Sequence, residues 1–255
     1  MAGIAPRSPS VPWRRMRIAV LSDIHGNIPA LEAVLSAVGS IDAVWQLGDV
    51  VGYGPEPDET IAVLADRSAI GVRGNHDAAA VGTIDADAFN DDARRAVLWT
   101  ADRLGETSRA WLRDLPEVLA QDEFTLAHGS PRDPIWEYVY STPVARANFA
   151  VLETRHALIG HTHVPLVFRE DDGLVEMLAP TDGSRLVLDE RRTILNPGSV
   201  GQPRDGDPRA CAMTLSTDTR EVEWHRVPYP IEETQRRMRA AGLPPRLVAR
   251  LSHGL

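Results

Sequence analysis

The sequence predicts a mixed α/β fold, and three observations carry the prediction. The runs Arg17-Ile18-Ala19-Val20-Leu21, Ala43-Val44-Trp45-Gln46-Leu47, Ser68-Ala69-Ile70-Gly71-Val72 and Ala157-Leu158-Ile159 are short, apolar and bounded by Gly or Asp, as buried strands are. Segments with helical spacing follow the first two runs, which implies successive βα units and a parallel half-sheet. From Glu117 onward the pattern changes to short alternating runs divided by turn signals, which points to a second, mixed sheet.

Taken in order, the first run leads to a helix opened by Pro29, with Leu31, Val34, Leu35 and Val38 on one face. The second leads to a helix opened by Pro57 and carrying Ile61, Leu64 and Ala65. Ala93 to Leu115 reads as helical, with Val97, Ala101 and Leu104 on one face and Trp111 and Leu112 on the next segment. The later strands are Val118 to Gln121, Phe124 to Ala127, Leu166 to Arg169, Leu174 to Leu178, Arg192 to Leu195, Ala210 to Ser216 and Val222 to Val227. Asp171-Asp172-Gly173 and Asp182-Gly183 supply turns between them. The second sheet is expected to stack on the first, with helices outside both, and Ile231 to Arg250 to form a charged terminal helical segment.

A chain of 255 residues with 43% hydrophobic content buries a core as one domain, here expected over residues 16–255. Residues 1–15, with Pro6, Pro9 and Pro12 and no long apolar stretch, read as a flexible tail and not a secretion signal, and Met16 is an alternative start. The formal charge of -9 argues against binding of nucleic-acid polymers, which needs clustered cations. All 27 basic residues are arginine, which excludes lysine Schiff-base chemistry and a Walker-type phosphate loop. The lone Cys211 forms no internal disulfide and fits a reducing cytoplasm, and no apolar run is long enough to span a membrane.

The polar residues that follow the apolar runs carry the chemistry. Asp23-x-His25, Gly48-Asp49, Gly74-Asn75-His76-Asp77, His128 and Gly160-His161-Thr162-His163 occur in that order. In open α/β sheets ligands bind beyond the carboxyl ends of strands, so these loops are expected to converge. Singly, each dipeptide is ordinary turn chemistry. Jointly, five of the eight histidines fall in such loops, whereas His156, His225 and His253 belong to no motif and are read as structural. The donors are oxygen and nitrogen without thiolate, which suits two divalent ions such as Mn, Fe, Zn or Ni. A centre of that kind is suited to phosphoester hydrolysis.

Together with Gly52-Tyr53-Gly54-Pro55, His128-Gly129-Ser130-Pro131 and Asn196-Pro197-Gly198-Ser199-Val200-Gly201-Gln202-Pro203, these blocks resemble the calcineurin-like metallophosphoesterases, in their small prokaryotic phosphodiesterase-like branch, from Met16 to Val227. The resemblance implies a four-layer αββα sandwich. It also implies that Asp23, His25 and His163 hold one metal, that Asn75, His128 and His161 hold the other, and that Asp49 bridges them. A hydroxide between the ions is then expected to attack phosphorus in line. His76 resembles the family's non-ligating histidine that donates to phosphate or protonates the leaving oxygen, with Asp77 raising its pKa or orienting it. Arg73 is a candidate phosphate clamp, and Asn27, Tyr53, Arg132 and Trp136 are candidate pocket residues. The expected reaction is hydrolysis of a phosphodiester or phosphomonoester. Alternatives are a protein serine/threonine phosphatase, which shares the look of Arg73-Gly74-Asn75-His76, a non-catalytic scaffold and a nuclease. The last would need a basic groove that the sequence does not display.

Overall fold

The computed structural model describes residues 15–255; the expected N-terminal tail falls, but for Arg15, outside them. The chain opens with strand β1 (Arg17–Leu21), helix α1 (Ile28–Ala37), β2 (Ala43–Gln46), α2 (Pro57–Asp66) and β3 (Ile70–Gly71). These are the two βα units, and β1, β2 and β3 pair in parallel. Asn27 caps α1 through its side chain, which accepts from Ala30 N at 3.3 Å, and Pro57 starts α2. Next come α3 (Asn75–Ala80), α4 (Asp91–Arg103) and α5 (Glu106–Asp114). The single helical stretch expected from Ala93 is thus two helices, broken at Leu104 and Gly105.

The second half supplies β4 (Val118–Gln121), β5 (Phe124–Ala127), α6 (Thr142–Phe149), β6 (His156–Leu158), β7 (Pro165–Asp171), β8 (Leu174–Leu178), β9 (Arg185–Val187), β10 (Arg192–Pro197), β11 (Ala210–Ser216), β12 (Glu221–Val227), α7 (Ile231–Ala240) and α8 (Pro245–Arg250). Two six-stranded mixed sheets result, in the orders β3-β2-β1-β11-β12-β9 and β4-β5-β6-β10-β7-β8. The stacked pair is as expected, but its division is not. β9, β11 and β12 return to the first sheet, where β11 lies antiparallel to β1. The reason is the free side of β1: with β2 on one side only, its buried backbone needs a second ladder.

Ile18, Val20, Trp45, Phe124, Leu126, Leu158, Met213 and Trp224 form a core between the sheets. Outside the first sheet, Leu31, Val34, Leu64 and Leu112 bring α1, α2 and α5 onto Ala19, Leu21 and Val44. Outside the second, Ala145 and Phe149 of α6 pack on Ala157, Phe168 and Ile194. The layers are therefore helices, sheet, sheet, helix. A fourth cluster joins α7 and α8 to α4 through Ala93, Ala96, Met238, Leu247 and Val248, which sets the C-terminal helices beside the strand ends. No helix among the described residues is long and apolar enough to cross a membrane.

Candidate metal centre

The carboxyl ends of β1 and β2 in one sheet, and of β5 and β6 in the other, open toward a common cleft. The loop after β1 is laced to the loop after β2 by Asp23 N to Gly48 O at 3.1 Å and His25 N to Asp49 O at 2.9 Å. Gly160 N donates to His128 O at 2.8 Å and ties the other two loops. The segment after β10 locks the sheets together. Asn196 Nδ2 donates to Gly160 O at 2.7 Å, Ser199 Oγ to Asp23 O at 2.8 Å and Asn27 Nδ2 to Gly201 O at 2.9 Å.

Backbone conformation marks the same residues. Asp23, His25 and Asp49 have φ of 52°, His161 of 65° and His163 of 59°. Left-handed conformation in a non-glycine residue costs on the order of 1–3 kcal/mol and clusters where function over-determines it. Here it turns each chain sharply off its strand end and brings the side chains together. Gly74 permits a close approach at the centre: a Cβ there would lie 2.2 Å from Asp49 Oδ1.

Two buried groups of donors result. Asp23, His25, Asp49 and His163 form one, and Asp49, His128 and His161 the other, with donor atoms in each within 4.8 Å of one another. His25 Nε2 is 3.3 Å from His163 Nε2, and His163 Nε2 is 3.2 Å from Asp23 Oδ1. His128 Nε2 is 3.0 Å from His161 Nδ1 and 3.1 Å from Asn75 Oδ1, which adds Asn75 to the second group.

The donor set fits divalent cations, on a point of hydrogen-bond chemistry. His25, His128 and His163 point Nδ1 at the carbonyls of Val51, Leu47 and Gln202, at 3.2, 2.8 and 2.6 Å. Those contacts place the proton on Nδ1 and leave the Nε2 lone pair facing inward, as in metal-bound histidine. His25 and His163 then present lone pairs to each other with no hydrogen between them, and Asp23 Oδ1 is buried without a partner. A cation among these atoms satisfies all of them.

Electrostatics agree. Burial holds the pKa values of His25, His161 and His163 well below the usual range, so all three are neutral and ready to ligate. Burial pushes Asp23 up to about 7, with the neighbouring Asp49 adding to it. Burial would also raise Asp49, but His128 and His76 hold it below the ordinary carboxylate range. His128 is the exception: Asp49 outweighs burial and lifts it to about 9, so without a cation its Nε2 also carries a proton, which a bound metal would displace.

His76 lies in the cleft and not among the donors. Its backbone N donates to Asp49 Oδ1 at 2.9 Å, its ring packs against Tyr53, Phe89 and His25, and its buried Nδ1 has no hydrogen-bond partner among the described residues. Burial lowers its pKa to about 4, despite Asp49. Tyr53 and Trp136 also line the cleft.

Four sequence candidates sit elsewhere. Asp77 was expected to act on His76, but its oxygens accept from Val51 N and Gly74 N, each at 3.0 Å, because it occupies the capping position of α3. Arg73 was expected as the phosphate clamp. Its side chain turns instead to Arg113 O at 3.2 Å and Glu117 at 3.5 Å, away from the cleft. Arg132 pairs with Glu137, and Asn27 is buried as the α1 cap.

The arginine that does face the donors is Arg204. Its side chain is half-buried, with Nη2 3.0 Å from Gln202 Oε1 and 3.4 Å from Tyr53 Oη. Sequence reasoning passed over it, although it directly follows the Asn196 to Pro203 block. His253, set aside as motif-free, also lines the cleft.

Comparison with known proteins places this geometry. The family model described as the calcineurin-like phosphoesterase superfamily domain matches residues 16–220. The crystal structure of a metallophosphoesterase from Sphaerobacter thermophilus superposes with a TM-score of 0.88 at 46% identity, covering 95% of this chain and 100% of that one. An uncharacterized protein of Methanocaldococcus jannaschii is 34% identical over 246 residues, 93% of this chain and 98% of its own length. Phosphodiesterase YfcE of Escherichia coli K12 is 28% identical over 222 residues, 81% of this chain and 91% of its own.

Proposed function

The chain belongs to the calcineurin-like phosphoesterase superfamily, and on that premise we propose that it hydrolyses phosphoesters, diesters in preference to monoesters, with two divalent ions held on either side of Asp49. One observation carries the reading: Asp49 Oδ2 lies 3.7 Å from His25 Nε2 and 3.4 Å from His128 Nε2, so a single oxygen serves both donor groups. Asp23, His25 and His163 would hold one ion, and Asn75, His128 and His161 the other. Mn, Fe, Zn and Ni all suit these donors. Bound there, such ions supply Lewis acidity to the phosphate and acidify water near neutral pH.

The remaining steps belong to the chain's own residues. His76 is held by its neighbours' rings and by the amide bond to Asp49, with Nδ1 buried against Gly52 and without a hydrogen-bond partner among the described residues. At neutral pH its imidazole is uncharged and its one N–H donates a hydrogen bond to a phosphate oxygen; the substrate's negative charge raises the ring's pKa, and the imidazolium so formed delivers a proton as charge grows on the leaving oxygen. Arg204 adds a fixed positive charge to the cleft beside the donor groups, which favours binding of an anionic substrate. The preference for diesters rests on the likeness to a protein named as a phosphodiesterase.

The test is reconstitution. Chelator-stripped protein is reloaded with Mn, Ni, Fe or Zn in turn and assayed on bis-p-nitrophenyl phosphate and p-nitrophenyl phosphate. We expect no turnover without metal and faster turnover of the diester with at least one ion. Activity that survives stripping, or the absence of hydrolysis with every ion, contradicts the reading.

A further inference from the structure

The cleft holds far more than a single phosphate. Its volume is about 850 Å³, with Asp49, His76 and His161 at its floor and Arg204, Arg246, Arg250 and His253 along one wall. Volumes of that order accommodate whole organic ligands. Arg246, Arg250 and His253 lie beyond residue 220, where the match to the family model ends, so of the wall cations only Arg204 belongs to the matched domain.

The three wall arginines differ from most others in this chain. Elsewhere the majority of the described arginines sit on carboxylates, among them Arg191 on Asp189 at 2.7 Å, Arg209 on Asp207 at 2.7 Å, Arg236 on Glu233 at 2.6 Å and Arg220 on Glu123 at 2.7 Å. At the wall, none of the three forms an ion pair among the described residues. Arg204 is half-buried, and its side chain is bonded only to neutral groups, the side chains of Gln202 and Tyr53. Arg250 gives Nε to Leu255 O and leaves its terminal nitrogens unbonded among the described residues. Arg246 is exposed and makes no side-chain hydrogen bond there.

A partly buried guanidinium facing others of its kind is costly unless an anion joins it. Arg250 registers the cost: burial, then Arg204 and, less, Arg246 bring its pKa down to about 10, with Tyr53 and Asp92 opposing them. What sets these three apart is their convergence: in an acidic chain, three arginines without an Asp or Glu partner line one cleft beside the donor groups, and that marks a second anion position. Guanidinium matches phosphate oxygens with paired donors.

We propose that Arg204, Arg246 and Arg250 form a second phosphate subsite, and that the substrate is an organic phosphate carrying a further phosphate one bridge away from the reacting one. The proposal rests on the functional reading above, because the floor must take the first phosphate.

The experiment compares binding of methylenediphosphonate and methylphosphonate, neither of them hydrolysable at the bridge, to the manganese-loaded protein by calorimetry. The same titrations use the Arg246→Ala/Arg250→Ala variant, and removal of metal by the diphosphonate cancels between proteins. We expect the wild type to prefer the diphosphonate by roughly tenfold or more, the order of a charge-assisted hydrogen-bonded contact, and the variant to lose most of that preference. Arg246→Ala alone, at an exposed side chain without a partner, should lose part of it and guards against misfolding of the double variant. Adenosine 5′-(α,β-methylene)diphosphate distinguishes a nucleotide source, by tighter binding than the bare diphosphonate, from an inorganic one; either result must show the same arginine dependence. Equal affinities in the wild type, or a preference unchanged in both variants, overturns the subsite. Ester turnover separates the two claims: a wild type that hydrolyses p-nitrophenyl esters without preferring the diphosphonate loses only the subsite. One that binds the diphosphonate through these arginines but hydrolyses no ester loses only the functional reading.

Discussion

The floor of the cleft is built from side chains that leave the ends of β1, β2, β5 and β6, several on left-handed backbone, whereas its cationic wall is carried by α8, the residues after it and Arg204. Floor residues are buried, and carbonyls of other loops fix three of the imidazoles. The wall arginines are held by few bonds, and Arg246 by none from its side chain among the described residues. The contrast separates two jobs. Strain stored at strand ends is tolerated where donor positions must be accurate to fractions of an ångström. A helix resting on α4 and α7 through apolar contacts can change its polar face without disturbing that geometry.

If the floor and wall divide the labour in this way, substitutions should sort by side. Asp49→Ala removes the carboxylate common to both donor groups. It should strip metal and lower turnover by more than the roughly 10–100-fold that loss of an outer partner of a metal ligand costs. Metal analysis and initial rates check this, and near-normal metal and rate in the variant would remove the shared role. His76→Ala should cost about 10²–10⁴-fold in kcat with metal content unchanged, and cost less for a p-nitrophenyl ester than for an alkyl ester. Loss of a metal would move His76 into the ligand set. Equal impairment on both esters would leave it binding phosphate without proton delivery.

Arg204→Ala sits between floor and wall and should raise KM by roughly tenfold, the value of one charge-assisted contact, while metal content stays constant. A fall in kcat alone would assign it to the reacting phosphate and not to binding. Arg73→Ala should change kcat/KM least, within about twofold by the usual scale of peripheral substitutions, since its guanidinium faces Arg113 and Glu117. A loss like that of Arg204→Ala would bring Arg73 back into the site.

The floor was legible in the sequence because its signal is local: an apolar run, then a turn, then a donor. Every one of Asp23, His25, Asp49, Asn75, His128, His161 and His163 lies in such a position, and the structure brings all of them to one place. What failed to show was non-local. That β11 and β12 join the first sheet depends on the free side of β1, nearly two hundred residues earlier, and no pattern within β11 states it. Asp77 and Arg73 flank donors in sequence, yet adjacency does not fix direction: the α3 cap claims one, and the start of β4 the other. The wall was missed for the converse reason. Arg246 and Arg250 are one turn apart on a short helix and resemble any solvated basic face until the packing of α8 sets them over the donors.

The account stands or falls on two ions sharing Asp49. Diffraction from crystals of protein purified without chelator and soaked in manganese, with data collected at the manganese edge, addresses it directly. Two anomalous peaks should appear on opposite sides of the Asp49 carboxylate, one beside His25 and His163 and the other beside His128 and His161. A single peak at saturating manganese, with His128 and His161 free of metal, would contradict it.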